Sequence, residues 1–392
     1  MTDITVNEEE LLAFLQELIA IESVNPTLAE NGTGEATIAQ FVASYLQQIA
    51  LDVQLQEVAP NRANVVSILQ GAGEGKSLIL NGHLDTVSLS GMEAPLKAEF
   101  KDGKVFGRGS LDMKGGVAAM VMALKYLVEN EITLQGDVLL TLVADEEYAS
   151  IGTEAIVKKY AADAAIVCEP TDLAVVIAHK GFAWIKVEVY GKAAHGSLPS
   201  RGVDAIMNAG KFLTELDRFE KTDLAKKNHP LVGSATVHAS LISGGIELST
   251  YPDYCKIELE RRTIPGENRE TVSEEIKRII DEMHAKDPQF NASFEVFFYR
   301  PALEVSKEEL IVQSVDKARS TILREKSFFQ GMSGWLDSAI LSSAGIPTVI
   351  VGPSGNGAHS AVEFVEFESV VKTTKILIAT IMDFCGSKEA VA

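Results

Sequence analysis

A rhythm of short apolar runs separated by helical stretches constrains this chain most. "NVVSIL", "SLILNGH", "VLLTLVAD" and "AAIVCEP" are nearly all apolar, without the alternation of a half-exposed strand. Such runs suit strands buried on both faces. Between them, "GGVAAMVMALKYLVEN" and "TEAIVKKY" place apolar residues at helical spacing. Buried strands alternating with helices predict an α/β fold, a central mostly parallel sheet flanked by helices. Two amphipathic helices come first, "NEEELLAFLQELIAI" and "EATIAQFVASYLQQI". The first carries acids in its opening turn, where the helix dipole favours them.

The rhythm changes near His179. "FAWIKVEVYG" alternates inward and outward residues. A helix ("GVDAIMNAGKFLTELDRF"), two strands ("SATVHASLIS", "YCKIELERR"), a helix ("TVSEEIKRIIDEMHA") and a strand ("ASFEVFFY") follow. This β-α-β-β-α-β order predicts a ferredoxin-like α+β unit. From about Arg300 the first rhythm returns with "KEELIVQSVDKARSTIL", "PTVIVG" and "FESVVKTTKILIATIMDF". At 392 residues the chain is long for one core. The expectation is a discontinuous catalytic domain, 1–179 and 298–392, interrupted by an inserted domain at 180–297.

Acidic residues outnumber basic ones 55 to 35, a formal net charge of −20 that disfavours nucleic acid and anionic membrane as partners. "MTDITVNEEE" lacks the basic and apolar regions of a signal peptide, and no apolar run is long enough to span a membrane. Cys168, Cys255 and Cys385 are scattered and odd in number, which argues against a disulfide framework. Together these features point to a cytoplasmic protein.

In an open α/β sheet, ligands bind beyond the C-terminal ends of the strands. Polar residues there include His83 and Asp85 in "SLILNGHLDTV", Glu146 and Glu147 in "LLTLVADEE", and Glu169 in "AAIVCEPT". Asp112 precedes a helix in "GRGSLDMKGG", and His359 lies in the Gly-rich loop "IVGPSGNGAHSAVEF". Three consecutive acids, Asp145 to Glu147, repel one another unless something positive sits beside them. Imidazoles and carboxylates converging on one rim suit zinc, and also cobalt or manganese.

With these residues in view, the chain resembles the co-catalytic zinc deacylases and peptidases. That family includes acetylornithine deacetylase, succinyl-diaminopimelate desuccinylase, aminoacylase and the glutamate carboxypeptidases. The motifs that carry the resemblance are "NGHLDTV", "GRGSLDMKGG", "ADEEYASIGT", "CEPT", "GKAAHGSLPSRGVDAI", "RRTIPGE" and "GPSGNGAHSAVEF". The resemblance implies two zinc ions, one on His83 and Glu169, the other on Glu147 and His359, with Asp112 bridging. It makes Asp85 the carboxylate that orients the His83 ring, and Glu146 the general base for a water activated by the ions. It also implies a cis peptide bond at Asp112–Met113.

On the inserted domain, His195 in "GKAAHGSLP" would help stabilise the oxyanion, and Arg262 would bind a substrate carboxylate. Arg261 is expected on the opposite face of that strand. Ser249 stands where the family commonly has Asn, and lacks an amide donor. Asp337, in "GMSGWLDSAIL", would orient pocket backbone, bind a basic side chain of the substrate, or serve as a helix N-terminal acid. The implied reaction removes the acyl group from an N-acyl amino acid, with dipeptide or carboxypeptide hydrolysis as the alternative. A non-catalytic amino-acid-binding relative is the third reading. A homodimer through the inserted domain is the family expectation.

Overall fold

The structure is a computed structural model that describes residues 4–326 and 328–388. The chain divides into two compact units, one of Met1–Ile177, Val305–Gln330 and Leu336–Ala392, the other of Ala178–Glu304 and Gly331–Trp335.

The first unit is built on one sheet. Across it run Val53–Ala59, Arg62–Leu69, Val138–Val143, Leu78–His83, Ala164–Val167 and Thr348–Ile350, followed by the strand containing Val176. The middle of the sheet, from Val138–Val143 to Thr348–Ile350, is parallel. Both flanks are antiparallel. Every residue of the parallel strands is buried, which explains their unbroken apolar runs. Burying each Leu, Ile or Val there contributes roughly 1.5–3 kcal/mol. Helices Glu8–Ala20, Ala36–Gln48, Gly115–Glu129, Ile151–Lys159, Leu310–Leu323 and Phe367–Phe384 belong to this unit. Gly115–Glu129 is buried almost all round and packs against Phe367–Phe384. At its start a Cβ on Gly116 would lie 2.1 Å from the carbonyl oxygen of Cys168, so only glycine lets this helix approach the loop bearing Glu169.

A small antiparallel sheet links Gly355–Asn356, Phe364–Glu366, Lys104–Phe106 and Glu99–Lys101. It ties the segment before Asp112 to the loop containing His359.

The second unit is a four-stranded antiparallel sheet in the order Thr236–Gly244, Tyr254–Thr263, Gly181–Tyr190, Asn291–Arg300. Helices Ala205–Thr222 and Arg269–Lys286 cover one face, around Ile185, Val187, Phe212, Ile257 and Ile276. Asp204 caps the first helix, and an Asn268–Thr271 capping box starts the second. The alternation seen in "FAWIKVEVYG" follows from this one-sided cover. The three cysteines are buried and free.

Candidate metal centre

Three parallel strands end at one rim of the first unit. Leu78–His83 delivers His83, the segment after Val138–Val143 delivers Glu146 and Glu147, and the segment after Ala164–Val167 delivers Glu169. Asp112 lies between the two histidines. Its Oδ1 is 3.1 Å from His83 Nε2, and its Oδ2 is 3.3 Å from His359 Nε2. Glu169 Oε1 lies 3.4 Å from His83 Nε2, and Glu147 Oε2 lies 3.0 Å from His359 Nε2. Donor atoms of His83, Asp112 and Glu147 fall within 4.8 Å of one another, as do those of His83, Glu146 and Glu169. The Asp112–Met113 peptide bond is cis.

This donor set fits divalent cations. It combines imidazole nitrogens with carboxylates at close range, and Glu147 Oε1 is buried with no hydrogen-bond partner among the described residues. The electrostatics express the same crowding. Burial, then the charge of Asp112, pushes the Glu147 carboxyl up to about 7. Burial also lifts Glu146 and Glu169 well above the ordinary carboxylate range, with neighbouring carboxylates adding to it. Hydrogen bonds to Asp112 and Glu147 raise the His359 imidazole to about 10. For Asp112, burial is outweighed by hydrogen bonds from His359 and His83, which hold it below its usual range.

Asp85 differs from expectation in how it reaches the ring. His83 Nδ1 lies 2.8 Å from the backbone carbonyl of Asp85 but 3.7 Å from Oδ1. The strand ends at His83, so the side-chain alternation that would aim the Asp85 carboxylate at the ring does not continue. With Nδ1 engaged by that carbonyl, Nε2 is the ring nitrogen that faces Asp112. The carboxylate accepts instead from the backbone amides of Glu146, at 3.1 Å, and Glu147, at 3.2 Å.

Beneath the acidic loop lies a buried network that sequence reasoning missed. Asn25 Nδ2 donates to Asp85 Oδ2 at 2.8 Å and to Asp145 Oδ1 at 3.0 Å. Arg62 Nη1 donates to Asp145 Oδ1 at 2.6 Å, and the same guanidinium is paired with Glu35 through Nε and Nη2. Arg108 and Glu363 form a second buried pair, at 2.6 Å. Glu363 Oε1 also accepts the amides of Leu111, at 3.0 Å, and Asp112, at 3.2 Å, which holds the turn bearing Asp112. Arg108 and Glu363 lie inside two of the quoted motifs, so their presence was visible though their pairing was not.

Asp337 is buried. Thr153 Oγ1 donates to its Oδ2 at 2.5 Å, and burial raises its carboxyl to about 6. It immediately precedes the short helix Ser338–Ser343, without a side-chain cap bond among the described residues.

In the second unit, His195 is exposed and its Nδ1 lies 2.8 Å from Ser197 Oγ. Its loop meets that of Ser249, where the Gly196 amide donates to the Ser249 carbonyl at 2.7 Å. Arg261 is buried and bonded to Glu267 and Glu275, while Arg262 points to the other face and donates from Nε to Glu260 at 2.6 Å.

A profile of peptidase family M20/M25/M40 matches residues 79–383. The chain belongs to this family. It is therefore a hydrolase of amide bonds from a metal-dependent family. Among M20 relatives, the N-formyl-4-amino-5-aminomethyl-2-methylpyrimidine deformylase of Halalkalibacterium halodurans is 29% identical, over 98% of this chain and 96% of that protein. The acetylornithine deacetylase of Myxococcus xanthus is 29% identical, over 96% of this chain and 98% of that protein. The solved structure of aminopeptidase PepT from Bacillus cereus shares the M20 fold, with a TM-score of 0.81 at 22% identity over 97% of this chain and 99% of that one. Among the described residues, no helix is long and apolar enough to cross a membrane.

Proposed function

We propose that this M20 protein is a two-metal amidohydrolase that removes the acyl group from N-acyl amino acids. The observation that carries this reading is Asp112, with one carboxylate oxygen toward each histidine. His83, Glu169 and Asp112 would hold one zinc, and Glu147, His359 and Asp112 the other, with cobalt or manganese as substitutes. When bound, the ions supply Lewis acidity and lower the pKa of a water toward neutrality.

The remaining steps fall to the protein's own side chains. Glu146 takes a proton from the attacking water and returns it to the leaving nitrogen, so the carboxyl ends as it began. Asp85 holds Glu146 in place through the Glu146 amide, while the Glu147 amide anchors the adjacent ligand. His195 donates a hydrogen bond to the developing oxyanion. Among the described residues Arg262 donates a hydrogen bond through Nε, and its Nη nitrogens would take a substrate carboxylate. Ser249, beside the His195 loop, offers a hydroxyl where the family commonly has an amide. Near-full-length likeness to a deformylase and a deacetylase supports acyl removal over peptide hydrolysis.

The second unit would serve as lid and dimerisation domain. Its edge strand Thr236–Gly244 and the following loop expose Leu241, Ile242, Ile246 and Leu248. An apolar open edge of this kind favours pairing with a second copy.

The test is amine release by zinc-loaded protein from N-acetyl, N-formyl and N-succinyl amino acids and from dipeptides, with Glu146→Ala alongside. Cleavage of N-acyl amino acids is expected. The variant should retain two ions and lose roughly 10²- to 10⁴-fold in kcat. Cleavage of dipeptides alone would overturn the deacylase reading, and loss of metal from the variant would make Glu146 a ligand.

A further inference from the structure

We propose that the helix-free face of the second unit's sheet is a shelf for the substrate side chain, selecting aromatic N-acyl amino acids over those with cationic side chains. This rests on the reading of Arg262 as the carboxylate clamp. An amino acid's carboxylate and side chain spring from the same carbon. A carboxylate held by Arg262 therefore lays the side chain on whatever adjoins Arg262.

What adjoins it is aromatic. In register across the sheet, Phe182 stands between Arg262 and Arg300, and Trp184 between Glu260 and Phe298. The rings of Trp184 and Phe298 stack with centroids 4.9 Å apart. A bulge opposite Trp184 leaves Phe297 unpaired in the ladder and adds its ring at 6.2 Å, 47% exposed. Trp335 closes one side, edge-on to Phe182 at 5.9 Å. Offset and edge-on stacking on such rings favours a flat apolar group.

The charges disfavour a cation. The Arg262 guanidinium lies 5.2 Å from the Phe182 ring, and that of Arg300 lies 4.8 Å from the Phe298 ring. Glu260 is the acid in these two rows, and it is already engaged by Arg262 at 2.6 Å and by Trp184 Nε1 at 3.1 Å. Burial, then the charges of Arg262 and Arg261, holds the nearby Lys180 ammonium below its usual pKa. An ornithine side chain would add a further positive charge to this surface.

The test compares kcat/KM for N-acyl phenylalanine, tryptophan, alanine and ornithine, with the acyl group fixed at the one cleaved fastest. Aromatic substrates should exceed alanine by roughly 10- to 200-fold, the range an apolar pocket can discriminate, and ornithine should fall below alanine. Trp184→Ala and Phe298→Ala should each reduce the aromatic-to-alanine ratio by about tenfold or more, with Trp184→Phe retaining most of it. Thermal unfolding checks that each variant is folded. A wild-type preference for ornithine, or an unchanged ratio in both alanine variants, overturns the shelf. Arg262→Met should depress every N-acyl amino acid together, and its lack of effect would sink the parent reading instead. A readout independent of turnover exists because Trp184 and Trp335 are the chain's two tryptophans. N-acetylphenylalanine should change their fluorescence saturably while N-acetylornithine does not, and a silent titration with the former counts against the shelf.

Discussion

Replacing Arg62 by Met puts the network under the acidic loop to a quantitative test. The guanidinium is 5% exposed and serves two buried carboxylates, Glu35 and Asp145. Removing one partner of a buried ion pair typically costs about 3–5 kcal/mol, because the other charge is left without compensation. The loss should depend on pH, with a definite sign. Burial raises the Glu35 carboxyl above its ordinary value, although its hydrogen bond to Arg62 pulls the other way. An acid with a raised folded-state pKa contributes stability fully below its unfolded pKa, and loses it as pH climbs through the folded value. Without Arg62 that folded value rises further, so the deficit should be greatest at neutral pH and shrink toward the carboxylate range. Tryptophan fluorescence cannot report it, since both tryptophans lie in the second unit. Amide exchange of strand Val138–Val143, which leads into Asp145, can. At about 1.4 kcal/mol per decade, exchange should accelerate by roughly 10²- to 10⁴-fold at about pH 7.5, and by less at about pH 5.5 after correction for intrinsic rates. Acceleration below tenfold at the higher pH, or an equal deficit at both, would refute the argument.

Two further outcomes are expected. His195→Ala should lower kcat by roughly 10²- to 10³-fold with metal content unchanged, measured by steady-state kinetics beside elemental analysis; wild-type turnover would remove His195 from the mechanism. Leu241→Glu combined with Ile242→Glu should convert a dimer to a monomer in light scattering, because two charges would then face the apolar edge of the second copy. A variant that stays dimeric would place the interface elsewhere.

How far each of these features was legible in the sequence depended on how local its cause is. A strand buried on both faces must be apolar along its length, so the parallel core could be read from "SLILNGH" or "VLLTLVAD" without any knowledge of neighbours. The polar residues that end such strands were legible for the same reason, and His83, Glu146, Glu147 and Glu169 do gather at one rim. Alternation also separated Arg261 from Arg262, because a regular ten-residue strand fixes which side each faces. The same rule failed at Asp85, two residues beyond His83, because it holds only while the strand lasts. The buried network was hidden for a different reason. Asn25 meets Asp85 and Asp145 across 60 and 120 residues, and Arg62 meets Glu35 and Asp145 across 27 and 83. No local pattern marks such partners, and each residue alone reads as an ordinary polar side chain at the end of an element. Their effect is nonetheless specific. Asp145 is anchored by Arg62 and Asn25, and the next two amides along the chain are anchored by Asp85, so the loop that presents Glu146 is held at three consecutive residues. The role proposed for Glu146, moving a proton between two partners, calls for that kind of fixation. The gathering of the acids was therefore readable, while the reason they can stay in place belongs to the fold.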